Sequence, residues 1–298
     1  MSINFLKYSK IYFIFSGLLI TAAIVCLFIF GLKTGIDFTG GSILEVEYKE
    51  ARPANQEIKE TLAELELGEV YLQPTGEQGV ILRMKDINED THQKVLEKLE
   101  GAEELRFESI GPVIGRELKD KTKIVVILSL LAIVSYIALV FRRVSRPIAS
   151  WQYGLSSLLA LFHDVLIPLG IFSLLGKFYE IQITIPVVVA LLTVLGYSIN
   201  NTVVVFDRIR ENLLKRVGGT YEETVNISLN QTLTRSLNTS LTTLFVLVAI
   251  FFFGGETLKY FALALIIGIV AGTYSSLFLA SPVLAKWLKW RERVRERV

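Results

Sequence analysis

Six stretches of this chain are too apolar and too poor in charge to lie in water, and that restricts what it can fold into more than any other feature. The first, Ile11–Phe30, runs for 20 residues without a charge. At about 1.5 Å per residue, a helix of this length crosses the roughly 30 Å hydrocarbon core of a bilayer. Five more runs follow, at about Lys123–Phe141, Leu155–Leu175, Ile183–Phe206, Leu237–Phe253 and Phe261–Leu284. Lipid offers no partners to backbone N–H and C=O groups, so runs of this length satisfy themselves as helices. The composition agrees: 52% of residues are hydrophobic and the mean hydropathy is +0.50, well beyond a soluble domain.

Charge orders the runs. Lys7 and Lys10 precede the first; Arg142, Arg143 and Arg146 fall between the second and third. Arg208, Arg210, Lys215 and Arg216 fall between the fourth and fifth, and Lys286 to Arg297 form a basic tail. The remaining two short connections hold one base each, Lys177 and Lys259. Arginine-rich loops stay on the cytoplasmic side, so six spans with both termini in the cytoplasm are predicted. The first run exceeds a signal-peptide core and no small-residue cleavage site follows it, which predicts a retained anchor.

Residues 32–120 are different. They hold 20 acids and 11 bases, whereas the rest of the chain holds 9 acids and 20 bases. An acidic soluble domain therefore interrupts a basic membrane protein, and the loop charges put it on the outer face. Alternation predicts strands at Ser42–Tyr48, Val70–Gln73, Val80–Met84 and Glu104–Ile110. Helical spacing predicts helices at Pro53–Leu67 and Asn88–Leu99, the second with Asn88 as N-cap. The order βαββαβ is that of a ferredoxin-like split βαβ domain. The predicted organisation is a first span within 1–31, the acidic domain at 32–120, five spans within 121–285 and a cytoplasmic tail at 286–298.

Several functions are disfavoured. The single cysteine, Cys26, excludes an intrachain disulfide framework or a cysteine zinc site, and His92 and His163 lack metal-ligand spacing. GKF at Gly176 lacks the rest of a phosphate-binding loop, and no nucleophile elbow or zincin helix occurs. No enzyme activity, cofactor or metal is expected. The bases sit in short loops beside the spans, so the membrane is the expected partner and nucleic acid is not. Energy for any work would come from an ion gradient or a partner.

The candidate site residues are polar groups inside the spans. Asn200 and Asn201 lie about six residues, roughly 9 Å, inside the Arg-rich end of the fourth run. They either bind helices together or face a wet cavity. His163 and Asp164 sit near the middle of the third run, as a structural acid or an ion-handling one. In the fifth, Thr232, Arg235, Ser236, Thr239, Ser240 and Thr243 recur every three or four residues and predict one polar stripe facing the bundle interior. Arg235 either snorkels to the surface or reaches the fourth span. Gly268 and Gly272 form a GxxxG that permits close helix packing.

Five motifs carry a family resemblance: DFTGG at Asp37–Gly41, IGPVIGREL at Ile110–Leu118, His163–Asp164, GYSIN with TVVVFDRIREN over Gly196–Asn212, and QTLTRSLNTSLTTL at Gln231–Leu244. With them the chain resembles the SecF family of protein-export membrane proteins over nearly its whole length. The resemblance implies a six-helix half-transporter of the RND type and a periplasmic domain between spans one and two. It also implies a bacterial inner-membrane location, a SecD-like partner subunit, the Sec channel and an unfolded secretory polypeptide as cargo, with a proton or sodium gradient as the energy source. Asp37, Gly40, Gly41, Gly111, Pro112, Gly115, Asp207 and Arg208 are its motif residues. Ser198, Asn200, Asn201, Arg235 and Thr239, with Asp164, are the ion-coupling candidates it implies.

One departure stands out. The family usually has Ser-x-Asn-Asp-Thr where this chain has Ser198 to Thr202, so the coupling aspartate is replaced by Asn201, an amide that does not titrate. Asn201 is then expected to hold spans four and five as a protonated aspartate would, bonded to a span-five hydroxyl or to Arg235. Otherwise the coupling acid lies elsewhere, as at Asp164. A stand-alone RND-type exporter of small molecules, which would need a homodimer, and a non-transporting scaffold are the alternative readings.

Overall fold

The computed structural model describes residues 3–141 and 149–287. The loop arginines Arg142, Arg143 and Arg146, and the basic tail beyond Trp287, lie outside the described residues. The chain forms α1 (Ser9–Phe30), α2 (Ile36–Thr39), β1 (Gly41–Tyr48), α3 (Asn55–Leu62), β2 (Tyr71–Thr75), β3 (Gly79–Met84), α4 (Glu89–Lys98) and β4 (Ala102–Ile110). Five long helices follow: α5 (Pro112–Phe141), α6 (Ser150–Tyr179), α7 (Ile185–Leu214), α8 (Tyr221–Phe253) and α9 (Gly255–Ser275). A single π-helical turn, Ser276–Ala280, continues α9 into a last helical stretch. Two compact units result. One comprises Leu32–Val125 with Leu175–Ile185; the other comprises Met1–Gly31, Val126–Leu174 and Pro186–Val298.

The first unit holds an antiparallel sheet in the order β2-β3-β1-β4. With one helix after β1 and one after β3, this is the expected ferredoxin-like arrangement. Leu44 and Val46 of β1 and Val80 and Leu82 of β3 put alternate side chains into a core closed by Ile58 and Leu62 of α3 and Val95 and Leu99 of α4. The Asn88 side chain accepts from Thr91 N at 3.0 Å and caps α4 as anticipated.

Several boundaries differ from expectation; β2, for example, runs to Thr75 rather than Gln73. Helix α3 stops at Leu62 rather than Leu67, because the chain tightens into i→i+3 turns and then passes through positive φ at Glu66 and Gly68. Leu65 and Leu67 still pack on the core, but from a turn. Strand β4 starts at Ala102, two residues early, and an irregularity in the register between Glu45 and Val46 absorbs the slip.

The DFTGG segment contains the short helix α2, which periodicity does not reveal in four residues. Its two glycines are required. Gly40 and Gly41 have φ of 76° and 139°, and a Cβ on Gly40 would lie 2.7 Å from Pro112 Cα. Gly115 is equally constrained, since its Cβ would lie 2.6 Å from Gly40 N. The segment also holds the start of α7. Ile183 N donates to Lys33 O at 2.7 Å, Gly35 N donates to Ile183 O at 2.8 Å, and Lys33 pairs with Glu180. The Asp37 carboxylate accepts from Ile185 N at 2.8 Å, which caps α7.

Six helices among the described residues are long and apolar enough to cross a membrane: Leu6–Phe30, Pro112–Val140, Ser150–Tyr179, Ile185–Leu214, Tyr221–Phe253 and Leu258–Trp287. They match the six runs read from sequence. Gly268 fits directly against α7, where a Cβ would meet Val194 Cγ2 at 2.2 Å. One turn on, Gly272 faces Ser198 Cβ and the Asp164 carboxylate. The GxxxG pair therefore lets α9 close on α7 beside the buried acid.

Candidate functional site

Asp164 is the fifteenth of the thirty residues of α6 and is fully buried. A carboxylate there must be hydrogen-bonded or neutral. Its Oδ2 accepts from two hydroxyls, Ser198 Oγ of α7 and Ser275 Oγ of α9, the latter at 2.7 Å. Its Oδ1 lies 2.8 Å from Nδ1 of His163, itself fully buried. With the carboxylate ionised, the ring N–H donates; with Oδ1 protonated, Nδ1 accepts. The site thus accommodates either state of the acid without moving a helix. Pro168 lies one turn further along α6. Lacking an N–H, it leaves the Asp164 carbonyl without its usual helical partner.

The surroundings continue the pattern. The π-helical turn follows immediately after Ser275, with Ser281 Oγ donating to Ser276 O, and π turns often accompany function. Tyr274 packs nearly parallel to the His163 ring, with centroids 5.9 Å apart. Tyr197 OH donates to Ser240 Oγ at 3.2 Å, and Ser240 and Thr273 hydroxyls are 2.6 Å apart, tying α7, α8 and α9 together. Asn212 of α7 donates to Ser228 Oγ and Gln231 Oε1 of α8, both at 2.8 Å. Ser275 and Asn212 are not singled out in the sequence; a serine in an apolar helix carries no signal of its own.

The sequence-predicted residues divide sharply. Ser198 and Asp164 meet, as just described. Asn201 is buried but Asn200 is exposed, because neighbours on a helix point about 100° apart. The Asn201 Nδ2 has no hydrogen-bond partner among the described residues, so it makes no bond there to a span-five hydroxyl. The reason lies in α8. Its polar residues form two stripes, not one facing inward. Thr232, Ser236 and Ser240 are buried, whereas Arg235 and Thr239 are exposed. The Thr239 hydroxyl donates to Arg235 O, one turn back. Gln231, Thr234, Asn238 and Thr242 share that outward stripe with Arg235.

The other motif residues serve structure around these elements. Asp37 caps α7, while Gly40, Gly41 and Gly115 permit close backbone approach. Pro112 is the first residue of α5, where its missing N–H costs nothing, and Gly111 precedes it. Near the end of α7, Arg208 pairs with Glu211 at 2.7 Å, and Asp207 lies 3.8 Å from Arg210.

Fold and site together define a polytopic α-helical membrane protein: a six-helix unit with a carboxylate buried at mid-span, and a small α+β sheet domain. The family of protein-export membrane proteins described by the SecD/SecF C-terminal model matches residues 91–290, and the SecD/SecF GG motif matches residues 27–51. A protein translocase subunit SecF of Thermobaculum terrenum is 42% identical over 96% of this chain and 94% of its own length. One from Anaerolinea thermophila is 37% identical over 97% and 96%. The crystal structure of SecDF, a translocon-associated membrane protein from Thermus thermophilus, superposes with a TM-score of 0.84 at 34% identity, covering 96% of this chain and 39% of that one. The chain belongs to the SecD/SecF family of protein-export membrane proteins. It spans about two fifths of the solved SecDF chains, 39% and 40%.

Proposed function

We propose that this chain is the SecF-type subunit of a two-subunit accessory to the Sec protein-export channel, and that it draws on a proton or sodium gradient to assist translocation. It performs no bond-breaking chemistry of its own. The observation that carries the ion-coupled reading is Asp164, a fully buried carboxylate held by hydroxyls from two further spans. With Asn201 unable to titrate, Asp164 is the acid that binds and releases the ion. Binding and release of a proton would exchange donor and acceptor between its Oδ1 and His163 Nδ1, while Ser198 and Ser275 stay bonded to Oδ2.

A second subunit follows from α8. A row of polar side chains around Arg235 on the outward face of a membrane-crossing helix is costly against lipid. A SecD-like partner would cover it, together with Asn200 of α7. On this reading both termini are cytoplasmic, the sheet domain lies on the outer face of the bacterial inner membrane, and unfolded polypeptide is the cargo.

The test is co-reconstitution of the chain with its SecD-like partner and the export channel in vesicles bearing an imposed ion gradient. Asp164→Asn should remove gradient-dependent export while leaving the complex assembled. Full gradient-driven export by that variant refutes the assignment of Asp164. Arg235→Leu should weaken recovery of the partner. Unchanged recovery refutes the docking face.

A further inference from the structure

The interface of α6 and α7 contains a layer of polar atoms that the hydrogen-bonded site leaves out. Two cross-helix contacts fix how these helices face each other. Ser198 bonds Asp164, and the rings of Phe206 and Tyr153 meet edge-on with centroids 5.4 Å apart. As the index rises along α7 it falls along α6, so the pair is antiparallel. Thr202 stands four residues from both Ser198 and Phe206, hence on the same face of α7. Ser157 stands four residues from Tyr153 and seven from Asp164, hence on the matching face of α6. Both are buried.

Neither hydroxyl has a hydrogen-bond partner among the described residues. Measured from the Ser198–Asp164 contact, Thr202 is four residues along and Ser157 is seven. Their levels therefore differ by about 4.5 Å at roughly 1.5 Å per residue. That offset is long for a direct hydrogen bond and short enough for one bridging water. Buried hydroxyls are rarely left unmatched, and water commonly supplies the partner where two or more polar groups converge.

The layer is one-sided. From Ser198 toward the start of α7, the buried residues are Leu195, Val194, Leu191, Ala190 and Val187, all apolar. The unmatched Thr202 hydroxyl lies on the side of Asp164 toward Arg208 and Arg210, where Tyr153 packs against Phe206.

We propose that Ser157 and Thr202 form an internal water-binding site, one to two helical turns from Asp164, through which that acid exchanges its proton on one side only. The role in exchange rests on the reading of Asp164 as the coupling acid; the water site does not.

A double-mutant cycle tests it on the purified full chain in nanodiscs. A bridging water makes each hydroxyl the partner of the other. Ser157→Ala and Thr202→Val should therefore each lower the melting temperature by several degrees, while the double variant is no worse than the poorer single. If either single substitution raises the melting temperature, or the two effects simply add, the interface is dry and the proposal is overturned. The infrared carboxyl band of Asp164, identified by its loss in Asp164→Asn, supplies the second measurement. After transfer to D2O its exchange should slow at least several-fold in Thr202→Val. An unchanged rate overturns the exchange role. Failure of Asp164→Asn to affect export would leave both of these readouts intact, so the two ideas fail separately.

Discussion

Removing the Asp37 side chain should loosen the first turn of α7 and little else. The first N–H groups of a helix have no internal partners. In α7, Pro186 at the second position removes one of these orphans, and Asp37 takes another by accepting from Ile185 N at 2.8 Å. Loss of such a cap costs about 0.5–2 kcal/mol, and an anion at a helix N-terminus contributes roughly 0.3–1 kcal/mol through the dipole, which overlaps with the cap. A local loss of about 1–2 kcal/mol changes an opening equilibrium by roughly 5- to 30-fold. The neighbouring backbone bonds, Ile183 N to Lys33 O and Gly35 N to Ile183 O, do not involve the carboxylate and should persist. Hydrogen exchange read by mass spectrometry should therefore show Asp37→Ala accelerating exchange at Ile185 by about that factor, with Ile183 near its original rate. Asp37→Asn keeps a carbonyl acceptor and should lie between. If Ile185 exchanges equally slowly in Asp37→Ala, the cap contributes nothing and the reasoning is wrong.

Further outcomes follow from the same geometry. Gly268→Ala should cost about 1–3 kcal/mol by overpacking, since its Cβ would overlap Val194; Val194→Ala in the same chain should restore the melting temperature. Gly115→Ala has backbone as its obstacle, at Gly40 N, so no side-chain truncation there should rescue it. In the sheet domain, the Lys98 ammonium hydrogen-bonded to Glu64 holds that carboxyl below its ordinary 4.5. A depressed folded value means that this contribution is present above about 4.5 and fades as pH falls through the lower value. Acid titration of Lys98→Met should lack that portion of the stability loss, and an unchanged acid profile would discount the pair. Finally, Asn201→Asp should introduce a pH dependence into export that Arg235→Leu does not remove, because Arg235 faces away from Asn201 in this structure.

The sequence by itself settled what local pattern controls. Apolar runs long enough to span lipid became the six long helices, since nothing else satisfies their backbone there. Alternation at Ser42–Tyr48 and Val80–Met84 and the cap at Asn88 were legible for the same reason: each is a relation among residues a few positions apart. The register of neighbouring helices is not such a relation. Asn200 and Asn201 are adjacent amides of one type, and only the packing of α7 decided that one is buried and the other exposed. The inward stripe expected on α8 failed because the angular drift of polar residues along a long helix spreads them over two faces, and the partner surface selects between those faces. Asp164 was conspicuous as a lone acid in an apolar run. Its chemistry depends on Ser198, 34 positions away, and Ser275, 111 positions away, brought to it because Gly268 and Gly272 let α9 close on α7. Hydroxyls so distant in sequence become a carboxylate's ligands only when helices from different parts of the chain are set side by side.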